Sequence, residues 1–287
     1  MKRAMWKYML LIIIVIVNFF PSLVHANEVM YSNQVTVLVY HHIDDQLEGG
    51  VTISTKLFKD QLRSMIRKGY HFITLDQFKA FMSSGKSVPD NAVLVTFDDG
   101  YRSFYTNAYP VLKKLQVPAV NFVITNGLED PMHSELPSLS REEIAKMRKE
   151  TPTIDFQGHS DSLHAMFDAK PMLTNKIIKN NMLETDEQFK QRIVADTTLC
   201  LHKLAELNGS KNVDAYAYPF GSYNNQTIEW LKSAGVQYGF TTKPGLASNQ
   251  TDPMQIPRIN AGSPYVQAYS INNLIKQALR HQIAPIS

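Results

Sequence analysis

Four short stretches of the chain carry side chains suited to chemistry. Thr96-Phe97-Asp98-Asp99-Gly100 sets two carboxylates side by side where an apolar run ends. Neighbouring side chains of a strand point to opposite faces, so Asp98 and Asp99 cannot grip one atom together, but each can take its own role around one centre. Gly158-His159-Ser160-Asp161-Ser162-Leu163-His164 holds two imidazoles five residues apart. On a helix that spacing is ~500° of rotation and separates the rings; it suits one ligand at a strand end and another in the following turn. Two imidazoles with one carboxylate make a three-ligand metal site that keeps an open position. In Tyr218-Pro219-Phe220-Gly221 the proline fixes φ and the glycine permits a tight bend, so a backbone N–H can be presented to a ligand. Tyr40-His41-His42 closes the first β-branched run after the N-terminal segment.

Each stretch also has a plainer reading. Asp-Asp-Gly can simply end a strand, the two loop histidines can be unrelated, and Tyr-Pro-Phe-Gly can be a turn. A histidine at a strand end is more often a satisfied polar side chain. Location is what favours chemistry, and location depends on the elements.

Short β-branched runs alternate with amphipathic stretches, which predicts β/α alternation and a mainly parallel sheet. Strands are expected at 35–40, 72–73, 93–97, 119–125, 153–157, 215–218, 238–241 and 256–259. Helices are expected through Phe58, Leu62, Met65 and Ile66 up to Gly69, and from a cap at Asp76 through Phe78, Phe81 and Met82. Others follow at 103–115, kinked or delayed by Pro110, and from a Ser140/Glu143 capping box to Lys149. The last three lie near 186–207, 226–234 and 271–280. Residues 165–185 show no period and read as an insertion or loop. Asp98 and Asp99, His159, and Pro219 to Gly221 then all fall just beyond the C-terminal ends of strands, the edge where parallel α/β folds bind ligands.

The chain opens with Lys2, Arg3 and Lys7, an apolar stretch from Met9 to Phe20, then Pro21 and Val24-His25-Ala26. This is the layout of a secretory signal, residues 1–26, cleaved after Ala26. A dozen residues at ~1.5 Å rise span ~18 Å, short of a ~30 Å hydrocarbon core, which places an uncleaved anchor second. The segment holds three basic residues and no acidic one, so the 29 basic and 26 acidic residues of the chain reduce to 26 of each beyond it. That balance offers no case for nucleic acid, and the membrane is met only through the N-terminal segment. Residues 27–287 suit a single α/β domain without repeats, and a monomer is expected. Cys200 is the only cysteine, which excludes an intramolecular disulfide and a Cys-based zinc site; among apolar residues at helical spacing it reads as a buried thiol.

With these motifs in this order, the chain resembles the NodB-homology polysaccharide deacetylases, carbohydrate esterase family 4. Thr-Phe-Asp-Asp-Gly is similar to the family's first motif, His-Ser-x-x-x-His to its second and Tyr-Pro-Phe-Gly to its third. The spacing of five between the histidines and the Tyr40-His41-His42 run most resemble the branch that deacetylates biofilm poly-β-1,6-N-acetylglucosamine. The resemblance spans residues 35–260. It implies a distorted (β/α) barrel and a secreted or cell-surface, metal-dependent hydrolase. Its substrate would be an N-acetylated polysaccharide: poly-N-acetylglucosamine, peptidoglycan or a chitin-like glycan. Asp98 would be the general base, and Asp99, His159 and His164 the ligands of a divalent metal, zinc first, with Co2+, Ni2+ or Mn2+ as alternatives. The backbone N–H of Phe220 would serve the oxyanion and His41 would be the general acid.

The chain also departs from the family pattern. Asp214-Ala215-Tyr216-Ala217 stands where the third motif usually begins with an arginine that orients the base. The late Leu-x-x-His that normally supplies the acid has only a loose counterpart at Leu279-Arg280-His281, and a fourth motif is not found. Arg258, in Ile-Pro-Arg-Ile, is expected to supply the orienting group from a neighbouring strand, against the plainer reading of a structural arginine. Tyr101, Phe104, Tyr105, Phe220 and Tyr223 are candidates to stack on sugar rings, against core packing. Two other classes compete: a catalytically inactive glycan-binding module on the same fold, and a metal-independent glycoside hydrolase using paired carboxylates. The Asp-Asp and His pairs speak against both.

Overall fold

The computed structural model describes residues 28–47, 49–209 and 211–283. Two six-residue runs, VTVLVY and AVLVTF, are buried along their whole length. They form β1 (Val35–Tyr40) and, beyond the short β2 (His71–Phe72), β3 (Ala92–Phe97), and they pair in parallel. Such strands have no polar face because helices cover one side and a barrel interior the other. From β3 the sheet continues through β4 (Ala119–Val123), β5 (Ile154–Gly158), β6 (Ala215–Ala217) and β7 (Tyr238–Phe240), each parallel to its neighbour. β2 pairs with the start of β3, and β8 (Leu246–Ala247) runs antiparallel to the start of β1. β9 (Ile259–Asn260) lies parallel to the later part of β1.

The two outer edges, β7 and β1, are joined by residues 256–260. Ile256 bridges Phe240; its amide donates to the Gly239 carbonyl at 2.8 Å and its carbonyl accepts the Thr241 amide at 2.9 Å. Three residues on, Ile259 and Asn260 pair with Leu38 and Val39. The strand expected at 256–259 is thus divided between two edges, because the segment must leave one to reach the other. Arg258 is at the crossing, and the sheet curls into a distorted (β/α) barrel.

Alternation along β1 sorts the core into two layers. Val35 and Val37 join Leu94, Phe122, Phe240 and Ile256 inside the barrel. Leu38 and Tyr40 face outward with Phe97, Phe104 and Phe156 against the helices. Those helices are α1 (Thr55–Arg67), α3 (Tyr109–Leu115), α4 (Arg141–Glu150), α5 (Asp186–Ala205) and α7 (Ser270–Ile283), whereas α2 (Leu75–Ser84) packs Phe78 and Phe81 on the inner layer and α6 (Asn225–Ser233) joins a third cluster with Phe189 and Tyr218. Cys200 of α5 is buried, and burial pushes its thiol up to about 12.

Two local expectations are corrected, and the disturbance expected at Pro110 takes the form of a π turn. Thr74, not Asp76, caps α2, forming a capping box with Gln77, because the hydroxyl sits one residue outside the first turn. Pro110 has no N–H to give the preceding turn, so α3 is preceded by one π turn, Phe104–Ala108, in which the Tyr109 amide reaches back to the Phe104 carbonyl. Residues 165–185 hold two hairpins of two-residue strands, Met166–Phe167 with Lys170–Pro171 and Ile178–Lys179 with Met182–Leu183. Asp168, Ala169, Asn180 and Asn181 turn them with positive φ, the geometry that matches strand twist. The proposed signal segment, residues 1–26, lies outside the described residues. Among the described residues no helix is long and apolar enough to cross a membrane.

Gly239 shows how tightly the closing segment packs. A methyl group there would stand 2.7 Å from the Met254 carbonyl oxygen and against the Tyr218 hydroxyl, which donates to that same carbonyl at 2.8 Å. Gly239→Ala is expected to destabilise the protein by about 1–3 kcal/mol, seen as a lower urea midpoint at unchanged slope. A wild-type midpoint would show that the closure has slack.

Candidate active site

The ladder of β3 continues to Asp98, whose amide donates to the Tyr40 carbonyl at 2.9 Å. Thr96 and Asp98, two residues apart, share a face, and Arg258 meets both. Its guanidinium gives one N–H to each carboxylate oxygen of Asp98, at 2.7 Å each, and another to the Thr96 hydroxyl at 3.3 Å. Nε donates to the Thr241 carbonyl at 2.8 Å, and the guanidinium lies over the Phe122 ring. Arg258 is 1% exposed and Asp98 3%. Burial pushes the Asp98 carboxyl up, but the Arg258 charge, His159, the Arg258 hydrogen bonds and His41 together hold it below the usual carboxylate range.

Asp99 departs from the strand. Its φ is 74°, a left-handed conformation that Asp tolerates better than most residues. Gly100 follows at φ 72°, where a methyl group would meet Val123 at 2.9 Å. The reversal swings the Asp99 carboxylate toward the end of β5. There His159 and His164 place their Nε2 atoms 3.3 and 3.4 Å from the same oxygen, Oδ1 of Asp99. His159 Nδ1 lies 2.8 Å from the Ala217 carbonyl. Only an N–H can face a carbonyl, so in the neutral ring Nε2 carries the lone pair. One ligand atom from each of the three residues lies within 4.8 Å of the others.

Asp99 Oδ1 is buried without a hydrogen-bond partner of good geometry. A carboxylate oxygen facing two imidazole nitrogens needs positive charge between them. Burial works against a charged His159, yet the close Asp99 carboxylate, the Asp98 charge and the Ala217 carbonyl raise its pKa. Burial and the neighbouring His159 lower that of His164. Burial opposes ionisation of Asp99, but the three histidines around it prevail and lower its pKa strongly. Two nitrogens and one carboxylate oxygen fit a divalent ion with a position left open.

His41, just past β1, has Nε2 3.9 Å from Oδ2 of Asp98, and its Nδ1 is buried without a partner. Phe220 lies in the turn Pro219–Gly221 with φ 58° and ψ 13°. The Gly221 and Ser222 amides bond the Tyr218 and Pro219 carbonyls at 2.8 and 3.0 Å, whereas the Phe220 amide has no acceptor outside its own turn among the described residues. A side chain at Gly221 would run into Thr242, so the turn tolerates nothing larger. The exposed Phe220 ring lies over His164 with centroids 4.3 Å apart.

All seven sequence-selected residues therefore come to one end of the barrel. Six of them, without Arg258, line a cavity of about 290 Å³ together with Val51, Tyr101, Tyr218, Gly221 and Thr242. Asp99, Tyr101 and His164 also border an adjoining trough of about 470 Å³. Of the aromatic candidates, Tyr101 and Phe220 face the cavity. Phe104 is in the core, Tyr105 stacks on Tyr109, and Tyr223 stacks on Tyr218. Val51 and Thr242 lie in loops outside any motif, and nothing in their local sequence marks them.

Residues 85–239 match the sequence profile described as polysaccharide deacetylase. The chain belongs to the polysaccharide deacetylase family. A poly-beta-1,6-N-acetyl-D-glucosamine N-deacetylase of Staphylococcus epidermidis is 32% identical over 208 residues, which cover 72% of this chain and 67% of that protein. Among solved structures, the Streptococcus pyogenes deacetylase PplD in complex with acetate superposes with a TM-score of 0.71 at 25% identity, over 85% of this chain and 99% of PplD. IcaB from Ammonifex degensii superposes with a TM-score of 0.66 at 25% identity, over 79% and 91% of the two chains. The family's barrel is the fold described above.

In this polysaccharide deacetylase the Arg258–Asp98 pair is open to a direct test. Arg258→Met leaves a buried carboxylate without its cation and is expected to cost about 3–5 kcal/mol at pH 7. The folded pKa of Asp98 is depressed, so its contribution is complete above the ordinary value of 3.8 and is lost as pH falls through the lower folded value. The gap between wild type and variant should therefore narrow in acid. Urea unfolding at pH 7 and pH 3 measures it, and a gap independent of pH would count against the pairing.

Proposed function

We propose that this polysaccharide deacetylase is a metal-dependent hydrolase that removes N-acetyl groups from poly-β-1,6-N-acetylglucosamine outside the cytoplasmic membrane. The observation that carries the reading is the convergence of the Asp99 carboxylate and two imidazoles beside a second carboxylate, Asp98, that Arg258 holds apart from them. The name of the Staphylococcus epidermidis relative supports this substrate, and the layout of residues 1–26 supports export, with the mature chain starting at Asn27.

Asp99, His159 and His164 would hold the ion, zinc by preference for two nitrogens and one oxygen. Bound there, it would polarise the acetyl carbonyl and acidify the attacking water. That leaves a modest task for the base, which suits a carboxylate kept at low pKa. Asp98 takes the proton from water as its oxygen adds to the carbonyl carbon, and Arg258 keeps both carboxylate oxygens oriented. The Phe220 amide donates to the oxygen on which negative charge grows. An amine leaves only when protonated; His41, whose Nε2 stands 3.9 Å from Asp98 Oδ2, delivers that proton to nitrogen as the C–N bond breaks. Acetate and a free glucosamine unit result, without a covalent enzyme intermediate.

His159→Ala and Asp99→Asn should lose bound metal and activity together. Asp98→Asn should keep its metal and lose about 10²–10⁴-fold in turnover, the usual contribution of a positioned acid or base. His41→Ala should behave likewise. Acetate release from poly-N-acetylglucosamine oligomers, with and without chelator, alongside metal analysis, reads all four variants. Full metal content in the His159 variant would remove the ligand assignment, and chelator-insensitive acetate release would remove the metal.

A further inference from the structure

The loop between the two histidines is clamped from both sides. Ser160 has φ 80°, a conformation that strains any residue with a side chain. Its carbonyl and that of Asp161 accept the amides of Thr125 and Asn126, at 3.0 and 3.2 Å. On the opposite side, the consecutive amides of Asp161 and Ser162 both point at one carboxylate, that of Asp196 on α5. Oδ1 takes the Asp161 amide at 2.9 Å and Oδ2 the Ser162 amide at 2.7 Å. Consecutive N–H groups after a left-handed residue form a concave anion site, and here an aspartate of the same chain fills it. Asp196 touches none of the three candidate ligands. It grips the middle two of the four residues between the histidines, Asp161 two past His159 and Ser162 two before His164.

We infer that Asp196 is a positioning residue that sets where His164 stands relative to His159 and Asp99, and so controls how tightly this site holds a divalent ion. The inference rests on the reading of those three residues as metal ligands. The geometry supports a positioning role over simple helix anchoring. Asp161 already ties the loop to α5 through Lys203, and to Thr125 through its hydroxyl, at 2.9 and 2.7 Å. Attachment alone would not need a second carboxylate. What Asp196 adds is direction: two bonds on adjacent amides fix the rotation of the peptide planes leading to His164. Burial pushes its carboxyl up to about 6, against the pull of the two amides, as expected of a group kept in place for its contacts.

The test is a Zn2+ titration against a competing chelator on the purified full chain, with the absorption bands of bound Co2+ as a second readout. Asp196→Asn keeps the volume but offers only one acceptor to two donors; Asp196→Ala offers none. Both are expected to weaken Zn2+ binding by about 10–100-fold, the usual effect of removing a partner that orients a ligand, and to shift the Co2+ bands. Excess metal should restore much of the turnover of Asp196→Asn. Leu199→Ala, an exposed change on the same helix, should leave the metal affinity as in wild type. Zn2+ affinity within twofold of wild type in Asp196→Asn, whatever its melting temperature, would overturn the assignment alone. A wild-type protein that takes up no Zn2+ or Co2+ would overturn the metal site and this inference with it.

Discussion

Two carboxylates, adjacent in sequence, are buried at the end of β3, and neither can remain ionised there without a cation of its own. Removing a charge from water costs several kcal/mol even after relaxation, and only close, well-directed partners return it. Asp98 has the full fork of Arg258. Asp99 has two imidazole nitrogens on one oxygen, an arrangement that balances only if positive charge lies among them. The reversal at Asp99 and Gly100 makes this possible, since it turns the two carboxylates to different partners. Were both to stay in register with the strand, one would face the helices with no cation in reach.

The first partnership couples the site to the closure of the barrel. Arg258 lies where the chain crosses from β7 to β1, with its backbone amide bonded to the Lys243 carbonyl and its Nε to the Thr241 carbonyl, both just past β7. Its guanidinium reaches β3 across the interior because the barrel is narrow. The pair therefore links the last strands to a central one, and the Asp98 carboxylate and the closing segment depend on the same two side chains. Strain gathers here as well. Asp99, Ser160 and Phe220 each adopt positive φ, one in each of the three motifs. Backbone strain of about 1–3 kcal/mol per residue persists only where its surroundings over-determine it, and the Asp196 clamp and the Gly221–Thr242 contact are such surroundings.

Local expectations failed where a neighbouring residue competed for the same task. Asp76 is a good capping residue, but Thr74 stands at the position from which a side-chain oxygen reaches the first free amides. Pro110 was legible as a disturbance, though not as a π turn, because the outcome depends on Phe104 being held in the core. Between residues 165 and 185, strands of two residues are too short to show a period. Asn180-Asn181 is nevertheless a turn signal of the tight-hairpin type. Val51 and Thr242 reach the cavity through loop paths that no local pattern encodes.

The types and order of the chemical residues, the parallel sheet and the end of the barrel they share are all consequences of local pattern: apolar runs set the strands, and polar residues just past them have to stand at one edge. Sequence also sufficed to nominate Arg258 as a partner of Asp98, from the absence of an arginine before Tyr218. Tertiary structure alone decided that the two meet, that both histidines address a single oxygen of Asp99, and that Asp196 holds the loop between them. Those facts turn on distances between segments up to 160 residues apart, and the chain settles such distances only when the barrel closes and burial leaves each charge no partner but the one beside it.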